Sequence, residues 1–455
     1  MSDRARRNLS MRTFYMIWLG QLISTVGSGL TGFALGVGIY QETGSVTSFA
    51  LFIFSFLLPG VILSPFAGAL VDRWPRRWVM ILSDTGAGVG TMAIWLLLRT
   101  ENLETWHIYI VTIFISAFST FQWPAYSAAT TMLVPKKNLG RASGMVQIGE
   151  AISQLFSPAI AGAMYVTVGL EGIILTDVAT FLFAVLTLLT VHVPEPERTK
   201  EGEEARESFW KEMTFGWNFI TARRGLLALL LFFAIGNFTS GMIGPLIQPM
   251  MLDRVGPDTM GYVFSFIGLG MLAGTVVMSV WGGPKRRIFG IFIPAFIESI
   301  LLIVLGFNVT IVTFAAGGFL FLFGNPIMNG SSQALWQSKT EPDIQGRVFS
   351  VRRMIAQFTS PIAILVAGPL AEKVFQPLVS VGGRLDGTNL GRLVGIGPGR
   401  GTGLLFVCMG TLSLISALAA FLYPRLRLVE EELPDVEVRE NTEERERQTV
   451  LRAGE

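Results

Sequence analysis

Hydrophobic residues occur along this chain in long runs, which short polar or charged segments separate. An apolar run of about 18 residues or more is long enough to cross a lipid bilayer as an α-helix. Such runs occur at residues 14–40, 46–71, 78–98, 106–133, 142–168, 171–192, 225–251, 258–282, 288–306, 310–337, 347–375 and 402–425. The pattern therefore predicts twelve membrane-spanning helices, numbered 1 to 12 in chain order, and an all-α integral membrane protein.

Lysine and arginine are distributed unevenly between the two sides of these predicted helices. All but six of the 35 lie in the N-terminal segment, in the loops after even-numbered helices, or in the C-terminal tail. The six exceptions are Arg99, Arg254, Lys373, Arg384, Arg392 and Arg400. Because lysine and arginine are enriched on the cytoplasmic side, we predict cytoplasmic termini and a multi-pass protein of the cell inner (plasma) membrane.

A charged segment divides the twelve predicted helices into two sets of six. Residues 194–208 are polar and contain proline, which is typical of a solvated linker, and residues 209–221 have the pattern of an amphipathic helix. The predicted division is an N-terminal six-helix half at 1–193, a cytoplasmic linker with that amphipathic helix at 194–224, a C-terminal six-helix half at 225–425 and a disordered cytoplasmic tail at 426–455.

Four short motifs of the first half recur in the second half, at offsets of about 205 residues. They pair Trp74-Pro75-Arg76-Arg77 with Gly283-Pro284-Lys285-Arg286, Pro124 with Pro326, Gly140-Arg141 with Gly346-Arg347, and residues 154–158 with 357–361. Internal repeats of this kind are typical of secondary transporters. The recurrence predicts two pseudo-symmetric six-helix bundles.

Composition excludes several classes of protein. Hydrophobic residues make up 51% of the chain and charged residues 15%, against about 25% charged residues in ordinary soluble domains. One cysteine, Cys408, and two histidines, His107 and His192, provide neither an intramolecular disulfide nor a Cys/His metal cluster. The spans contain no P-loop, nucleophile–base pair or metal triad. We therefore expect no enzyme activity, cofactor, bound metal or nucleic-acid partner.

The loop between predicted helices 2 and 3 carries the most specific motif in the chain. It reads Gly68-Ala-Leu-Val-Asp72-Arg73-Trp-Pro-Arg76-Arg77 and resembles the signature loop of the major facilitator superfamily. Residues 18–44 are similar to the drug-exporter branch of that superfamily, which includes macrolide efflux proteins and siderophore exporters of the enterobactin type. The resemblance implies the major facilitator fold over helices 1 to 12.

The chemistry of this loop suits a gate. Asp72 lies at a cytoplasmic helix end, where it can pair with Arg76 and approach the positive N-terminus of another helix. By resemblance, Gly68, Asp72, Arg73 and Arg76 form a cytoplasmic gate motif that links the two halves. The alternative for the arginines is that they only hold the loop on the cytoplasmic side.

A second motif lies in predicted helix 5. Gly149, Ser157, Pro158 and Gly162 are similar to a Gly/Pro motif that is associated with antiporters, although Ser157 stands where glycine is usual. Glycine and proline thin and kink a helix, which allows close approach to a neighbour and a hinge. A packing kink without a transport role is the alternative interpretation.

Charges within the predicted spans are the strongest candidates for coupling, because a carboxylate at mid-membrane costs about 2.5–3.5 kcal/mol. Glu150 lies about eight residues into helix 5, or about 12 Å along its axis, and shares a helix face with Gln147 and Gln154. It is the first candidate for proton coupling, and Asp84 in helix 3 is the second. A structural carboxylate bonded to a neighbouring helix is the alternative.

Asp177 in helix 6 and Glu298 in helix 9 are interpreted as scaffold residues, and a scaffold role is the favoured interpretation for Asp84 as well. In helix 1, residues 26–32 contain no charge where the resembled exporters often carry an acidic and a basic residue. Uncoupled or differently coupled transport therefore remains an alternative.

Polar and aromatic side chains on helices 1, 4, 5, 7, 10 and 11 predict the substrate cavity. Amides among aromatic rings suit a bulky amphipathic molecule, although amides also form hydrogen bonds between membrane helices. The candidates are Gln21, Ser24, Gln122, Trp123, Tyr126, Gln147, Gln154, Asn237, Gln248, Asn325, Asn329, Gln333 and Gln357.

The sequence favours a secondary active exporter of amphipathic small organic molecules, such as drugs or secondary metabolites. Proton antiport with rocker-switch alternating access is the expected mechanism. The expected partners are a small-molecule substrate, protons and the lipid bilayer, and the protein is expected to be monomeric. The alternatives are a dedicated siderophore or peptide exporter or a lysolipid flippase, with or without proton coupling, and a receptor that transports nothing.

Overall fold

The computed structural model describes residues 11–135, 138–191, 193, 209–307, 310–340 and 344–433, and this part of the chain is helical without a strand. Twelve long helices are labelled here in chain order. They are α1 Met11–Thr43, α2 Val46–Arg73, α3 Arg76–Arg99, α4 Thr105–Leu133, α5 Leu139–Thr167, α6 Gly169–Thr190, α7 Arg224–Leu252, α8 Pro257–Trp281, α9 Arg287–Gly306, α10 Ile311–Ser338, α11 Gln345–Pro369 and α12 Arg400–Leu422.

Eleven of these helices, within the described residues, contain a stretch long and apolar enough to cross a membrane. The helix outside that set is α5. It is 29 residues long, as α4 is, but it carries the polar face of Gln147, Glu150 and Gln154. It packs between α1 and α8, so protein rather than lipid covers much of its surface. The predicted all-α membrane fold is confirmed.

Helix ends follow from local chemistry. Ser45 and Thr310 accept backbone N–H groups at the starts of α2 and α10, which satisfies donors that have no partner inside the helix. Gly282 ends α8 with a φ of 75°, a conformation that glycine adopts without strain. Pro257 begins α8 at the first turn, where its missing N–H costs nothing.

The helices form two bundles with equivalent packing. In the first bundle α1 packs on α5 and α6, α4 packs on α2 and α3, and α3 packs on α6. In the second bundle α7 packs on α11 and α12, α10 packs on α8 and α9, and α9 packs on α12. Each pair of the first bundle thus has its counterpart six helices later. The bundles meet along α5 with α8 and α2 with α11.

The contact between α5 and α8 is a contact of backbones. A Cβ placed on Gly261 of α8 would lie 2.2 Å from the carbonyl oxygen of Pro158, and one on Gly162 of α5 would lie 2.4 Å from that of Pro257. Small residues permit this close approach of membrane helices. The glycines of both helices therefore hold the two bundles together here.

Hydrogen bonds between the bundles close one end of the molecule, which we call the far face and which carries the loops 44–45, 253–256 and 379–399. The Tyr40 hydroxyl donates to Asp253 Oδ1 at 2.7 Å. The Glu372 carboxylate accepts from the Ser45 hydroxyl at 3.0 Å and from backbone N–H groups at the start of α2. Glu372 lies in a π-helical turn, Leu370–Phe375, that continues α11.

The opposite end, the termini face, is where residue 11 and the segment after α12 lie. The amphipathic helix Phe209–Ala222 packs there against α11 and α7. Residues 424–427 and 429–432 form helical turns, and the Glu430 carboxylate accepts the backbone N–H groups of Arg287 and Ile288 at 3.0 and 3.1 Å. The tail predicted to be disordered from residue 426 is thus ordered through residue 433, because Glu430 caps α9.

Two parts of the predicted division, residues 194–208 of the linker and 434–455 of the tail, lie outside the described residues.

Candidate functional site

A cavity of about 520 Å³ lies inside the first bundle. Its walls come from α1 to α6 and combine aromatic rings with amides, hydroxyls and three carboxylates. Eight of the candidate site residues line it: Gln21, Ser24, Asp84, Gln122, Trp123, Tyr126, Gly149 and Glu150. Asp177, interpreted from the sequence as a scaffold residue, lines it as well. The cavity therefore brings together candidates from four separate stretches of the chain.

Asp84 is buried at the wall of this cavity, where α1, α3 and α4 meet. Gln21 Nε2 donates to its Oδ2 at 2.9 Å, and Gln122 Nε2 donates to its Oδ1 at 3.0 Å. The same Gln122 nitrogen is 2.6 Å from Gln21 Oε1. Both oxygens of the carboxylate accept a hydrogen bond from an amide, so the group ties three helices together.

Asp177 on α6 forms a second polar cluster in the same cavity. Ser28 of α1 donates to Asp177 Oδ1 at 3.4 Å, and Thr91 of α3 donates to Oδ2 at 3.5 Å. Only 4% of Asp177 is exposed. Ser28 belongs to the stretch of α1 that contains no charged residue. Its hydroxyl there contacts an acid that α6 provides.

A second cavity, of about 630 Å³, lies between the two bundles. Gln147, Glu150, Gln154 and Pro158 of α5 face it, as does Gln248 of α7. Most of the remaining wall is aliphatic or phenylalanine, from α2, α7, α8, α9, α10 and α12. We call it the central cavity, and it has the mixed polar and apolar wall that an amphipathic molecule needs.

Glu150 lines both cavities and joins them. Its side chain is exposed, as are those of Gln147 and Gln154, although all three lie near the middle of α5. Asp84 and Asp177, by contrast, are buried. Of the three acids that line the first-bundle cavity, Glu150 is therefore the one that a solute in the central cavity reaches.

The helix 5 motif contacts α1 as well as α8. Ser157 donates to the Val26 carbonyl oxygen at 3.2 Å, and a Cβ on Gly29 would lie 2.5 Å from Ser157 Oγ. The serine that replaces the usual glycine is accommodated because α1 has glycine opposite it. Pro158 and Gly162 lie at the contact with α8.

A third cavity, of about 90 Å³, lies inside the second bundle and collects other predicted residues. Asn237 of α7 and Asn325 and Asn329 of α10 line it together with Glu298 of α9. Asn329 Nδ2 donates to Asn325 Oδ1 at 2.8 Å. These amides, predicted to line a single substrate cavity, thus belong to a separate and smaller space.

Gln333 contacts a half-buried cation. Arg352 of α11 donates from Nη1 to Gln333 Oε1 at 2.9 Å and from Nη2 to Ser332 Oγ at 3.1 Å. Its guanidinium lies 5.1 Å from the ring centre of Trp336. Sequence reasoning did not single out Arg352, although an arginine inside an apolar window is itself the signal.

The predicted gate motif is described only in part. The structure describes only the helical backbone at Gly68, Asp72 and Arg73. The same holds for Gln357 of α11. Arg76 is 8% exposed, and its Nη1 donates to the Trp74 carbonyl oxygen at 3.2 Å.

Comparison of the sequence with known proteins identifies the family of this chain. The profile described as Major Facilitator Superfamily matches residues 17–364, which is more than half of the chain. The chain belongs to the major facilitator superfamily. It is a multi-pass membrane transporter of small molecules and not an enzyme.

Several relatives of this major facilitator protein are exporters by name. "Macrolide efflux protein A" of Streptococcus pyogenes is 28% identical over 372 residues, which cover 79% of this chain and 90% of that protein. "Multidrug efflux pump Tap" of Mycolicibacterium fortuitum is 22% identical over 78% of this chain and 88% of its own. "Enterobactin exporter EntS" of Citrobacter koseri is 24% identical over 59% and 70%.

Solved structures agree on the fold. A bacterial homologue of the human lysosomal transporter Spinster, in an inward-facing and unoccupied conformation, superposes with a TM-score of 0.67. The match covers 95% of this chain and 99% of that one, at 14% identity. At this identity the similarity shows the major facilitator fold alone.

Proposed function

We propose that this transporter exports amphipathic small organic molecules across the plasma membrane in exchange for protons. The observation that carries the proposal is Glu150, an accessible carboxylate near the middle of α5, where the first-bundle cavity and the central cavity join. The names of its relatives, macrolide efflux protein A and multidrug efflux pump Tap, support export as the direction.

The charge of the cavities supports a cationic substrate. Glu150, Asp84 and Asp177 line the first-bundle cavity, and Glu150 lines the central cavity, while lysine, arginine and histidine are absent from the described lining of both. A cationic group of the substrate is attracted to Glu150, and its apolar body fits the phenylalanine-rich wall. A molecule with one protonated amine on a large apolar frame matches this environment.

One carboxylate supports both halves of the exchange. Glu150 without its proton binds the cationic group, and Glu150 with its proton releases it, so proton and substrate compete for one group. The closed far face and the exposed Glu150 correspond to a state open to the termini face. With the termini in the cytoplasm, as the positive charges indicate, substrate enters from inside and a proton from outside replaces it.

The two bundles provide the motion. Rocking about the α5–α8 and α2–α11 contacts opens the far face and closes the termini face. The gate motif of Asp72 and Arg76 then holds the cytoplasmic side closed. Because one chain contains the cavities, the gate and both contacts between the bundles, we propose that the monomer transports.

Reconstituted protein tests the coupling. In proteoliposomes with an acidic lumen, we expect the wild type to accumulate ethidium and a radiolabelled macrolide. In Glu150→Gln the gradient-driven component falls at least about tenfold, which corresponds to about 1.4 kcal/mol. Substrate-for-substrate exchange weakens as well, because the neutral amide, like the protonated carboxyl, does not attract the cationic group. Glu171→Gln, which neutralises a partly exposed carboxylate of α6 that pairs with Arg99 and lines neither cavity, keeps the wild-type response. Wild-type flux that is the same with and without the pH gradient contradicts the proposal.

A second candidate is a dedicated exporter of a siderophore or peptide metabolite. It is favoured by the similarity to enterobactin exporter EntS, which covers 59% of this chain. A gene neighbourhood that encodes a biosynthetic cluster, together with loss of the secreted product on deletion, supports this candidate. Resistance to several unrelated drugs supports the first.

A further inference from the structure

The cavity inside the second bundle differs in kind from the two larger ones. It measures about 90 Å³, lies among α7, α9, α10 and α12, and is separate from the lining of the central cavity except at Leu302 and Phe321. Its volume is that of about three water molecules, too small for a drug-sized molecule. What it holds is therefore small.

Two buried oxygens in this cavity have no hydrogen-bond partner. Glu298 is 8% exposed and its Oε1 makes no hydrogen bond, and Thr239 is 2% exposed and its Oγ1 makes none either. Both residues line the cavity. Buried polar groups without partners carry the full cost of their desolvation, so a water or an ion bound in this space would stabilise both oxygens.

The first bundle shows how a buried carboxylate is satisfied without a ligand. Both oxygens of Asp84 on α3 accept hydrogen bonds from the amides of Gln21 and Gln122. Glu298 lies on α9, the counterpart of α3, but Asn329 of the same cavity donates its Nδ2 to Asn325 instead of to the carboxylate. The carboxylate of the second bundle is left for a partner that the protein does not supply.

The cavity's other polar groups identify the chemistry of that partner. Ser240, Ser413 and Ser416 add hydroxyl oxygens, and Asn237 adds an amide. Lysine, arginine and histidine are absent from the described lining. A set of neutral oxygens around one carboxylate suits a hard cation of single charge, whereas Ca²⁺ and Mg²⁺ usually take more than one carboxylate or several waters.

We propose that the cavity lined by Glu298 and Thr239 inside the second bundle is a sodium-binding site. The carboxylate balances the charge of the ion, and the Thr239 hydroxyl with its neighbours replaces part of the hydration shell. A proton alone would satisfy Glu298 but would leave the Thr239 oxygen and most of the cavity unused. The site goes beyond the proposed proton exchange, since it does not involve Glu150.

Binding of ²²Na⁺ to the purified protein in lipid nanodiscs tests the site directly. We expect one saturable site per chain that unlabelled sodium competes for and choline does not. Glu298→Gln lowers the affinity at least tenfold, and Thr239→Val, which keeps the shape but removes the hydroxyl, lowers it severalfold. Glu171→Gln binds as the wild type does, and size-exclusion profiles establish that each variant is folded.

Any of three results overturns the site. The first is the absence of saturable ²²Na⁺ binding to the wild type, which includes the case in which Glu298 binds only a proton. The second is wild-type affinity in a folded Thr239→Val or Glu298→Gln protein. The third is loss of ²²Na⁺ binding in Glu150→Gln alone, which places the ion in the central cavity. None of these results depends on whether a pH gradient drives export, so the two proposals fail separately.

Discussion

Asp84 and Glu150 are both acids within membrane-spanning helices, and their surroundings give them different roles. Asp84 accepts two amide hydrogen bonds and is buried, whereas Glu150 faces the two larger cavities and is exposed. A carboxylate that is held by fixed donors stabilises a bundle. One that faces a cavity is available to exchange a proton for a cation.

The role of Asp84 as a structural acceptor gives a stability prediction. In Asp84→Asn the new NH₂ group faces the amide nitrogen of Gln21 or Gln122, so one donor loses its acceptor in a buried place, at a cost of about 1–3 kcal/mol. We expect the apparent melting temperature of the purified protein to fall by several degrees. Fluorescence-detected size-exclusion chromatography after heating measures it.

Glu171→Gln, which removes a partly exposed charge from the same bundle, is the control and is expected to melt with the wild type. An Asp84→Asn protein with the wild-type melting temperature would show that the amide contacts carry no stability.

For single residues, the sequence predicts which acids lie inside membrane-spanning helices but not which side chains form hydrogen bonds with them. Glu150 and Asp84 stand out because they interrupt apolar windows, and the structure places both at cavities. Spacing along one helix cannot tell that Gln21 and Gln122 meet at Asp84, because that contact joins residues 63 and 38 positions apart. The contact between Gln333 and Arg352 likewise joins two helices and does not follow from spacing along one of them.

Helices α5 and α8 form the contact about which we propose that the bundles rock. Gly261 approaches the Pro158 carbonyl so closely that a Cβ would lie 2.2 Å from it, whereas a Cβ on Gly268, two turns along the same helix, would lie 3.4 Å from the Leu155 side chain. The first position has no space for a methyl group, and the second has ordinary contact distance. The two glycines are therefore matched test sites.

Alanine at these glycines gives the prediction at the scale of elements. Overpacking costs about 1–3 kcal/mol, so Gly261→Ala separates α5 from α8 and lowers the transport rate about tenfold. Gly268→Ala transports at close to the wild-type rate. Initial rates of substrate uptake into proteoliposomes, normalised to the amount of folded protein, measure both. Equal rates for the two variants would show that the backbone contact does not govern transport.

The element boundaries were predictable because long apolar runs end at charged or turn residues. Predicted helix 9 at 288–306 and observed α9 Arg287–Gly306 differ by one residue. The ordered turns at 424–432 were not predictable, since a mixed-charge tail gives no sign that Glu430 reaches the start of α9. That contact joins segments 143 residues apart.

The molecule as a whole is closed at its far face by two links between the bundles. Tyr40 donates to Asp253, and Glu372 accepts from Ser45 and from the first N–H groups of α2. A carboxylate at a helix N-terminus contributes about 0.3–1 kcal/mol, which is small enough to be broken in every cycle. We therefore propose for Glu372 at the far face the same gating role as for Asp72 at the termini face.

Paired spin-label distances test the central claim, that the two bundles rock to expose the cavity to alternate sides. In a Cys408→Ser background, one pair of labels is placed at Glu42 and Val381 of the far face and another at Trp74 and Trp281 of the termini face, all exposed positions. We predict that acidification lengthens the first distance and shortens the second, and that Glu372→Gln shifts both in the same directions. Distances that do not respond, or that lengthen together, would contradict the account.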